Sequence, residues 1–392
     1  MKIQKKTNMK SLVLYCKYIE TTNESTTEEN VEKDSIEFHI NLWKTKNGIV
    51  RIAPKLIFDF GIKFDSSIQQ LCLFLPFQIT KKENVKDLGK CLSTNRELLN
   101  AVFNEDMICQ SSINHCFSKV SKNTENEKST GNDFYIYHIG EDNVKIEFYT
   151  EESKIKGTYL TITIDGNPFN DESNTSDKKY YIRFRVYVKD INEVVKTELL
   201  SNDLLQAAFS RMDLYDIRLN EKREIPSKVE ERMKKENFRL CTFNKLHFFY
   251  IVDTHETINN GIDTRKDSRL LENDQWSGYE PISDMEDLYY IAHHWKKMKK
   301  EKDFSHFSLF FTTIYPKMSL TRLFAYFSIV ILLGWFGSML SFSIKDLFCG
   351  DKGYTYYDWI SPIAIGVLLI FLIVYIIKSN FMMTWLKLRR KL

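Results

Sequence analysis

The chain has 392 residues, enough for two or three domains of ordinary size, and a formal net charge of +3. From residue 303 onward, six Lys and three Arg face four Asp, a surplus of +5, which leaves −2 for residues 1–302. This balance excludes a broad basic domain for polyanions, although a local basic patch is compatible with it. The seven cysteines are odd in number and form no C-x-x-C pair, which favours reduced thiols over a disulfide framework.

The first predicted block, residues 1–120, is rich in β-strand patterns over residues 34–80. In "IEFHINLW" the apolar residues alternate strictly with polar ones, which is the period of a half-buried strand. Residues 83–120 then change to helical patterning. "STNRELLNAVF" offers Asn95 among its capping residues and places Leu98, Leu99, Val102 and Phe103 on one helix face.

A second predicted block, residues 133–302, begins with further strands and includes "YYIRFRVYV" (Tyr180 to Val188). Alternation directs Ile182, Phe184, Val186 and Val188 to the core and leaves four polar or aromatic residues on the opposite face. Two guanidinium groups between two phenol rings can bind phosphates and stack on bases. The predicted ligand-binding residues are Tyr181, Arg183, Arg185 and Tyr187. The alternative is a sheet face with cross-strand aromatic and ion pairs.

Residues 191–235 read as helical, with "EVVKTELLSNDLLQAAFSRMDLYD" (Glu193 to Asp216) followed by a helix that Pro226 starts. "LHFFYIVDT" predicts a buried strand. "MEDLYYIAHHWKKMKK" (Met285 to Lys300) predicts a last amphipathic helix, on which His293 and His294 would point about 100° apart and not share a ligand. The two blocks, which can also be one domain, therefore indicate an α+β region, β-rich with interspersed helices.

Enzyme signatures are absent from the sequence, which has no P-loop, dinucleotide-binding, zinc-protease or nucleophile-elbow motif. We therefore predict no catalytic residue, no cofactor and no metal. One alternative stays open. "VDTHE" places Asp253, His255 and Glu256 after a strand, with His247 as a conceivable partner in a metal or nuclease site. A turn with solvated side chains is the plainer interpretation.

Two uncharged runs near the carboxyl end decide the predicted location. The first run has 22 residues (Leu323 to Ile344) and the second has 19 (Trp359 to Ile377). As helices they would be about 33 and 28 Å long, which is close to the thickness of about 30 Å of a bilayer's hydrocarbon core. Neither run has a polar stripe. We therefore expect a juxtamembrane linker (303–322), a two-helix transmembrane hairpin (323–377) and a basic amphipathic tail (378–392). Lys and Arg flank the hairpin, so the positive-inside rule predicts an inner (plasma) membrane protein, multi-pass, with cytoplasmic N- and C-termini and a lipid bilayer as partner.

Small residues inside the runs predict close helix packing or a pore lining in a homo-oligomer. They are Gly334, Gly337, Ser338, Ser341, Pro362 and Gly366.

The chain has a large polar region followed by two apolar runs, "FAYFSIVILLGWFGSML" and "WISPIAIGVLLIFLIVYII". In this layout it resembles the membrane effectors of bacterial anti-phage defence systems, either nucleotide-signalled or Hailong-like. The resemblance implies an oligomeric, channel-like effector in antiviral defence, controlled by a cytosolic sensor domain. It also implies gating by a nucleotide or oligonucleotide near Arg183 and Arg185. The alternatives are a membrane-anchored receptor or scaffold and a membrane-tethered hydrolase or nuclease.

Overall fold

The structure is a computed structural model, which describes most of the chain up to residue 338. The described residues are 11–19, 36–45, 55–79, 85–110, 116–123, 133–151, 154–164, 178–199, 209–259, 267–276, 279, 289–299, 303–317, 324 and 326–338.

Nineteen strands dominate these residues. The first ten are β1 (Val13–Tyr18), β2 (Ile36–Thr45), β3 (Lys55–Asp65), β4 (Ile68–Leu75), β5 (Val85–Asp87), β6 (Met107–Cys109), β7 (Phe117–Lys122), β8 (Phe134–Tyr137), β9 (Val144–Glu151) and β10 (Lys154–Thr163). The others are β11 (Lys179–Tyr187), β12 (Val195–Leu199), β13 (Ser210–Leu219), β14 (Arg239–Leu240), β15 (Phe243–Asp253), β16 (Thr257–Asn259), β17 (Asp267–Leu270), β18 (Tyr290–Met298) and β19 (Phe307–Pro316).

The strands form three sheets. A ten-stranded sheet has the order β17-β18-β15-β2-β3-β11-β8-β7-β6, with β5 pairing β11 as its tenth strand. A five-stranded sheet has the order β14-β1-β4-β10-β9, and a four-stranded sheet has the order β12-β13-β19-β16. Most described pairs are antiparallel, but β15 lies parallel to β2 and β8 lies parallel to β11.

Helices are short in the described residues. They are α1 (Gly89–Thr94), α2 (Arg96–Phe103), α3 (Ser227–Lys235) and α4 (Asn273–Trp276), and residues 326–338 are also helical. Asn95 caps α2 as predicted, because its side chain accepts a hydrogen bond from the Leu98 amide. The predicted helix after Pro226 is confirmed as α3.

The α+β prediction is wrong because two long predicted helices are strands. Residues of the first, Glu193 to Asp216, form β12 and part of β13, and the second, over Met285 to Lys300, contains β18. Tyr290 to Met298 carries aromatic and alternating residues that suit a pleated sheet, and β15 and β17 supply its backbone partners. The described chain is therefore mainly β.

The predicted transmembrane hairpin is also wrong. Within the part of the chain that the structure describes, none of the helices combines the length and hydrophobicity that a bilayer span requires. This finding contradicts the multi-pass inner-membrane location and the ion-channel assignment. The second predicted span and the basic tail lie outside the described residues.

The ten-stranded sheet has two different faces. Along β2 the predicted alternation is confirmed, because Ile36, Phe38, Ile40 and Leu42 are all buried in one hydrophobic cluster. Leu14, Leu73 and Leu160 of the five-stranded sheet belong to the same cluster, so these two sheets share a core. The opposite face of the ten-stranded sheet is covered by a second cluster that includes Leu92 of α1, Leu98 and Leu99 of α2, and Trp276 of α4.

The chain divides into two units. The first comprises Met1–Lys196 and Asp213–Thr313, and the second comprises Thr197–Met212 and Ile314–Leu392. Strands of the two predicted blocks pair with each other in the ten-stranded sheet, β15 with β2 and β11 with β3, so both blocks contribute to the first unit. Every residue of the candidate site described next belongs to that unit.

Candidate functional site

Polar side chains from four neighbouring strands meet on the helix-covered face of the ten-stranded sheet. In the register of these strands, His247 of β15 lies opposite His39 of β2, and His39 lies opposite Gly61 of β3. Gly61 in turn lies opposite Arg183 of β11. Because residues two apart share a face, Glu37 lies beside His39 on this side of the sheet.

A cavity of about 590 Å³, within the range of small-molecule sites, opens over Glu37, His39 and His247. One wall comes from α2 and the residues after it, and the floor comes from β2, β3, β15 and β18. The polar and aromatic side chains around the cavity are Glu37, His39, Lys63, Phe103, Asn104, Glu105, Lys122, Lys245, His247, Phe249, Asp267, Arg269, His294 and Lys296. Five of them are basic and three are acidic, so the cavity has an excess of two positive charges when its histidines are neutral.

Three of these side chains form a cluster of metal-ligand type. One donor atom each from Glu37, His39 and His247 lies within 4.8 Å of the other two. Glu37 Oε1 is 3.0 Å from His39 Nε2 and 3.9 Å from His247 Nε2. The same oxygen accepts a hydrogen bond from Lys245 Nζ at 2.8 Å. The cluster therefore has the donors for a cation, and an ammonium group already lies next to its carboxylate.

The surroundings set the protonation of this cluster. Burial, together with the charges of His39, Lys245 and His294, lowers the pKa of His247 to about 2. Burial also lowers the pKa of His39. Burial alone would raise the pKa of Glu37, but hydrogen bonds and charges from His39 and Lys245 hold it well below its ordinary value. At neutral pH the site thus presents neutral imidazoles beside a carboxylate.

Lys63 is a half-buried cation that lines the cavity. Its ammonium group lies 4.4 Å from the centre of the Phe134 ring, and no described carboxylate forms an ion pair with it. Burial lowers its pKa, and the nearby charges of Lys179 and Lys245 act in the same direction, whereas Glu37 and Glu105 oppose this shift. An anion in the cavity would relieve this electrostatic cost.

A hydrogen-bonded layer lies behind His39. Its Nδ1 is 3.5 Å from the Tyr181 hydroxyl, which accepts a hydrogen bond from Arg183 Nη1 at 2.8 Å. Arg183 Nε donates to the Tyr279 hydroxyl at 2.5 Å. Gly61 makes this layer possible, because a Cβ there would collide with the Tyr181 hydroxyl.

The predicted binding strand has the predicted alternation, with Ile182, Phe184 and Val186 in the opposite core. However, Arg183 and Arg185 are buried, with 2% and 0% of their surface exposed, so neither guanidinium projects into open solvent. Arg185 forms a bidentate ion pair with Asp59, whereas Arg183 lines a small second cavity beside His39. Tyr181 is buried beside them and Tyr187 is half-buried. A direct role of these four residues in ligand binding stays a prediction.

The alternative site in "VDTHE" has a structural role. Asp253 Oδ1 accepts hydrogen bonds from the His255 amide and ring in a turn after β15. Glu256 is buried, where it accepts hydrogen bonds from Lys44 at 2.8 Å and from Tyr250 at 2.8 Å. Among the described residues, the three-residue cluster of metal-ligand type is the one at Glu37, and it contains none of Asp253, His255 or Glu256.

The other predicted positions are placed as follows. His293 and His294 lie on a strand, so they point to opposite faces, and only His294 lines the cavity. Gly334, Gly337 and Ser338 lie in the helical stretch 326–338, and a Cβ at either glycine would meet no described atom within 4 Å. Ser341, Pro362 and Gly366 lie outside the described residues. The predicted homo-oligomer stays a prediction.

Sequence reasoning missed Glu37 and His39. The signal was present in "IEFHINLW", whose polar positions hold a carboxylate and an imidazole two residues apart. A comparison with protein-family models gives no match for this chain, and a comparison with curated proteins gives none either. The function is therefore argued from the geometry of the cavity.

Proposed function

We propose that the first unit is a ligand-binding unit whose cavity binds a phosphorylated small molecule such as a nucleotide. The observation that supports this proposal most is the excess of basic over acidic side chains around the cavity, which include Lys63 outside any described ion pair. Such a ligand would bind in this cavity and not on an exposed strand face.

The arrangement of the basic groups suits an anionic group at the centre of the cavity. Lys63 and Lys245 lie on either side of Glu37 in the strand register, and Arg269 projects from β17. Arg269 is tied to the carbonyl of Ala101 at 3.2 Å, which positions its guanidinium near α2. Phosphate oxygens accept charge-assisted hydrogen bonds from such groups, which are stronger than neutral ones.

Aromatic rings supply the apolar part of the cavity. The rings of Phe249 and His294 stack with centroids 4.2 Å apart and nearly parallel planes. Phe103 lines the cavity from the end of α2, on the wall opposite the sheet. Flat apolar surfaces beside basic groups are the combination that a nucleotide base and its phosphates require.

The test is calorimetric titration of the full chain, in the presence of a chelator, with inorganic phosphate, pyrophosphate, ATP and adenosine. We expect ATP and pyrophosphate to bind and adenosine to bind much more weakly. Lys63→Met removes a cation of the cavity that no described carboxylate pairs with, and we expect at least about a tenfold loss of affinity for ATP, the value of one charged hydrogen bond.

Lys234→Met is the matched control. Lys234 is an exposed lysine of α3, which packs on the five-stranded sheet. The proposal would be contradicted if Lys63→Met bound ATP as tightly as the wild type does. It would also be contradicted if Lys63→Met and Lys234→Met lost the same amount of ATP affinity.

A further inference from the structure

We infer that Glu37, His39 and His247 bind a divalent transition-metal ion, of the Zn²⁺ or Co²⁺ type, at the floor of the cavity. The binding of the ion does not depend on the identity of the organic ligand. Only the further role of the ion, which is to hold an oxygen atom of that ligand, rests on the proposed function.

The donor atoms lie close to the spacing that such an ion needs. Two ligands of a tetrahedral zinc ion, each at 2.0–2.2 Å, are separated by about 3.3 Å. In the structure the corresponding distances from Glu37 Oε1 are 3.0 Å to His39 Nε2 and 3.9 Å to His247 Nε2. Small side-chain rotations therefore suffice to place all three donors around one ion.

The second nitrogen of each imidazole is engaged on the side away from Glu37. His247 Nδ1 is 2.8 Å from His294 Nε2, and His39 Nδ1 faces the Tyr181 hydroxyl. His247 Nε2 is buried and has no hydrogen-bond partner among the described residues. Metal-binding histidines are oriented in this way, with one nitrogen held by an outer partner and the other directed at the ion.

The donor set defines the class of ion. Two imidazoles and one carboxylate suit Zn²⁺, Co²⁺ or Fe²⁺, whereas Mg²⁺ and Ca²⁺ prefer oxygen ligands. Three protein ligands leave a coordination position open. That position faces the cavity, where a phosphate oxygen of the ligand would complete the coordination.

Lys245 offers a competing explanation of the same residues. Its ammonium group already neutralises Glu37 at 2.8 Å, so the cluster can be an ion pair with two adjacent histidines and no metal. If the ion binds, it replaces Lys245 as the partner of Glu37 and frees Lys245 for the ligand. The two explanations differ in whether the chain binds a metal ion through the histidine nitrogens, which a metal titration measures.

The experiment is a titration of the metal-stripped full chain with Co²⁺, followed by visible absorption and by metal analysis after dialysis. We expect one ion per chain with the absorption of a low-coordinate Co²⁺ site. His247→Ala and Glu37→Gln should each weaken binding by at least about 100-fold, since loss of even an outer partner costs 10–100-fold. His255→Ala is the matched control, because this histidine is exposed and lies outside the cluster.

Tyr181→Phe tests the positioning layer. Removing the hydroxyl behind His39 should weaken Co²⁺ binding by about tenfold. Circular dichroism confirms that each variant retains its strands.

The outcomes separate the inference from the proposed function. Absent Co²⁺ binding, or binding that His255→Ala weakens as much as His247→Ala does, overturns the metal site whatever ATP does. Co²⁺ binding that depends on His247, with ATP affinity unchanged in Lys63→Met, supports the metal site and overturns the proposed ligand.

Discussion

Replacing Asp59 with alanine should strongly destabilise the first unit, because Asp59 neutralises a cation in the middle of the ten-stranded sheet. Its two carboxylate oxygens accept hydrogen bonds from Arg185 at 2.6 and 2.9 Å, and one of them also accepts from Trp43 Nε1 at 2.7 Å. Both charged side chains are fully buried. The remaining Arg185 nitrogen donates to the Tyr279 carbonyl, so no other carboxylate shares the charge in these contacts.

The expected cost follows from two groups that lose their partner. Breaking a buried ion pair by removing one member costs about 3–5 kcal/mol. Leaving the buried indole N–H of Trp43 without an acceptor adds about 1–3 kcal/mol. Since such costs are not fully additive, we expect Asp59→Ala to lower the free energy of unfolding by about 4–6 kcal/mol, a large part of the 5–15 kcal/mol typical of a native protein.

Urea denaturation followed by tryptophan fluorescence measures this loss. The double variant Asp59→Leu with Arg185→Met provides the decisive comparison, because an apolar replacement of both members is often neutral or stabilising. It should be more stable than Asp59→Ala although it carries one more substitution. Lys234→Ala removes an exposed ion pair with Glu230 and should cost less than about 0.5 kcal/mol. A loss below about 2 kcal/mol for Asp59→Ala, or a double variant less stable than the single one, would refute the reasoning.

Three further predictions concern the cavity and its helix wall. Gly61→Ala should cost about 1–3 kcal/mol in urea denaturation because its methyl group collides with Tyr181, whereas Gly140→Ala, with nothing within 4 Å of its Cβ, should change little. Burial lowers the pKa of His247 to about 2, so between that pH and about 6.5 the unfolded chain binds one more proton at this residue. Stability of the metal-free chain should therefore fall as the pH falls below about 6.5, and His247→Gln should reduce the slope by up to about 1.4 kcal/mol per pH unit. Asn95→Ala should lower the unfolding free energy by about 1 kcal/mol, because the Leu98 amide loses its cap.

Local patterns predicted the elements whose signal is carried by neighbouring residues. Alternation in β2 and β11 identified which residues face the shared core, and a capping residue before an apolar helix face identified α2. These features depend on a few consecutive side chains. Backbone geometry alone relates these side chains to a strand face or a helix end.

Residues 285–300 show why other elements were mispredicted. Their apolar residues fit a helix face about as well as they fit a strand, and short apolar runs leave this ambiguity open. Hydrogen-bond partners decide the outcome, since β18 pairs with β15 on one side and β17 on the other. No local pattern reports that those partners exist.

The uncharged run from Leu323 shows a related limit of local patterns. Residues 326–338 of this run are helical, but none of the described helices has the length and hydrophobicity of a membrane span. Hydropathy measures how apolar a segment is and does not fix where its helix begins and ends.

The candidate site is a product of sheet register. His39 and His247 are more than 200 residues apart in the chain and become neighbours because β2 and β15 pair in parallel. Arg183 looked like a ligand-binding group in the sequence, and in the structure its contact with Tyr181 supports the imidazole that faces the cavity. A guanidinium placed behind a histidine favours the neutral form of the ring, because a nearby positive charge opposes its protonation. Arg183 of β11 therefore influences the protonation of His39 on β2. A substitution at Arg183 or at Tyr181 should change the pKa of the His39 imidazole.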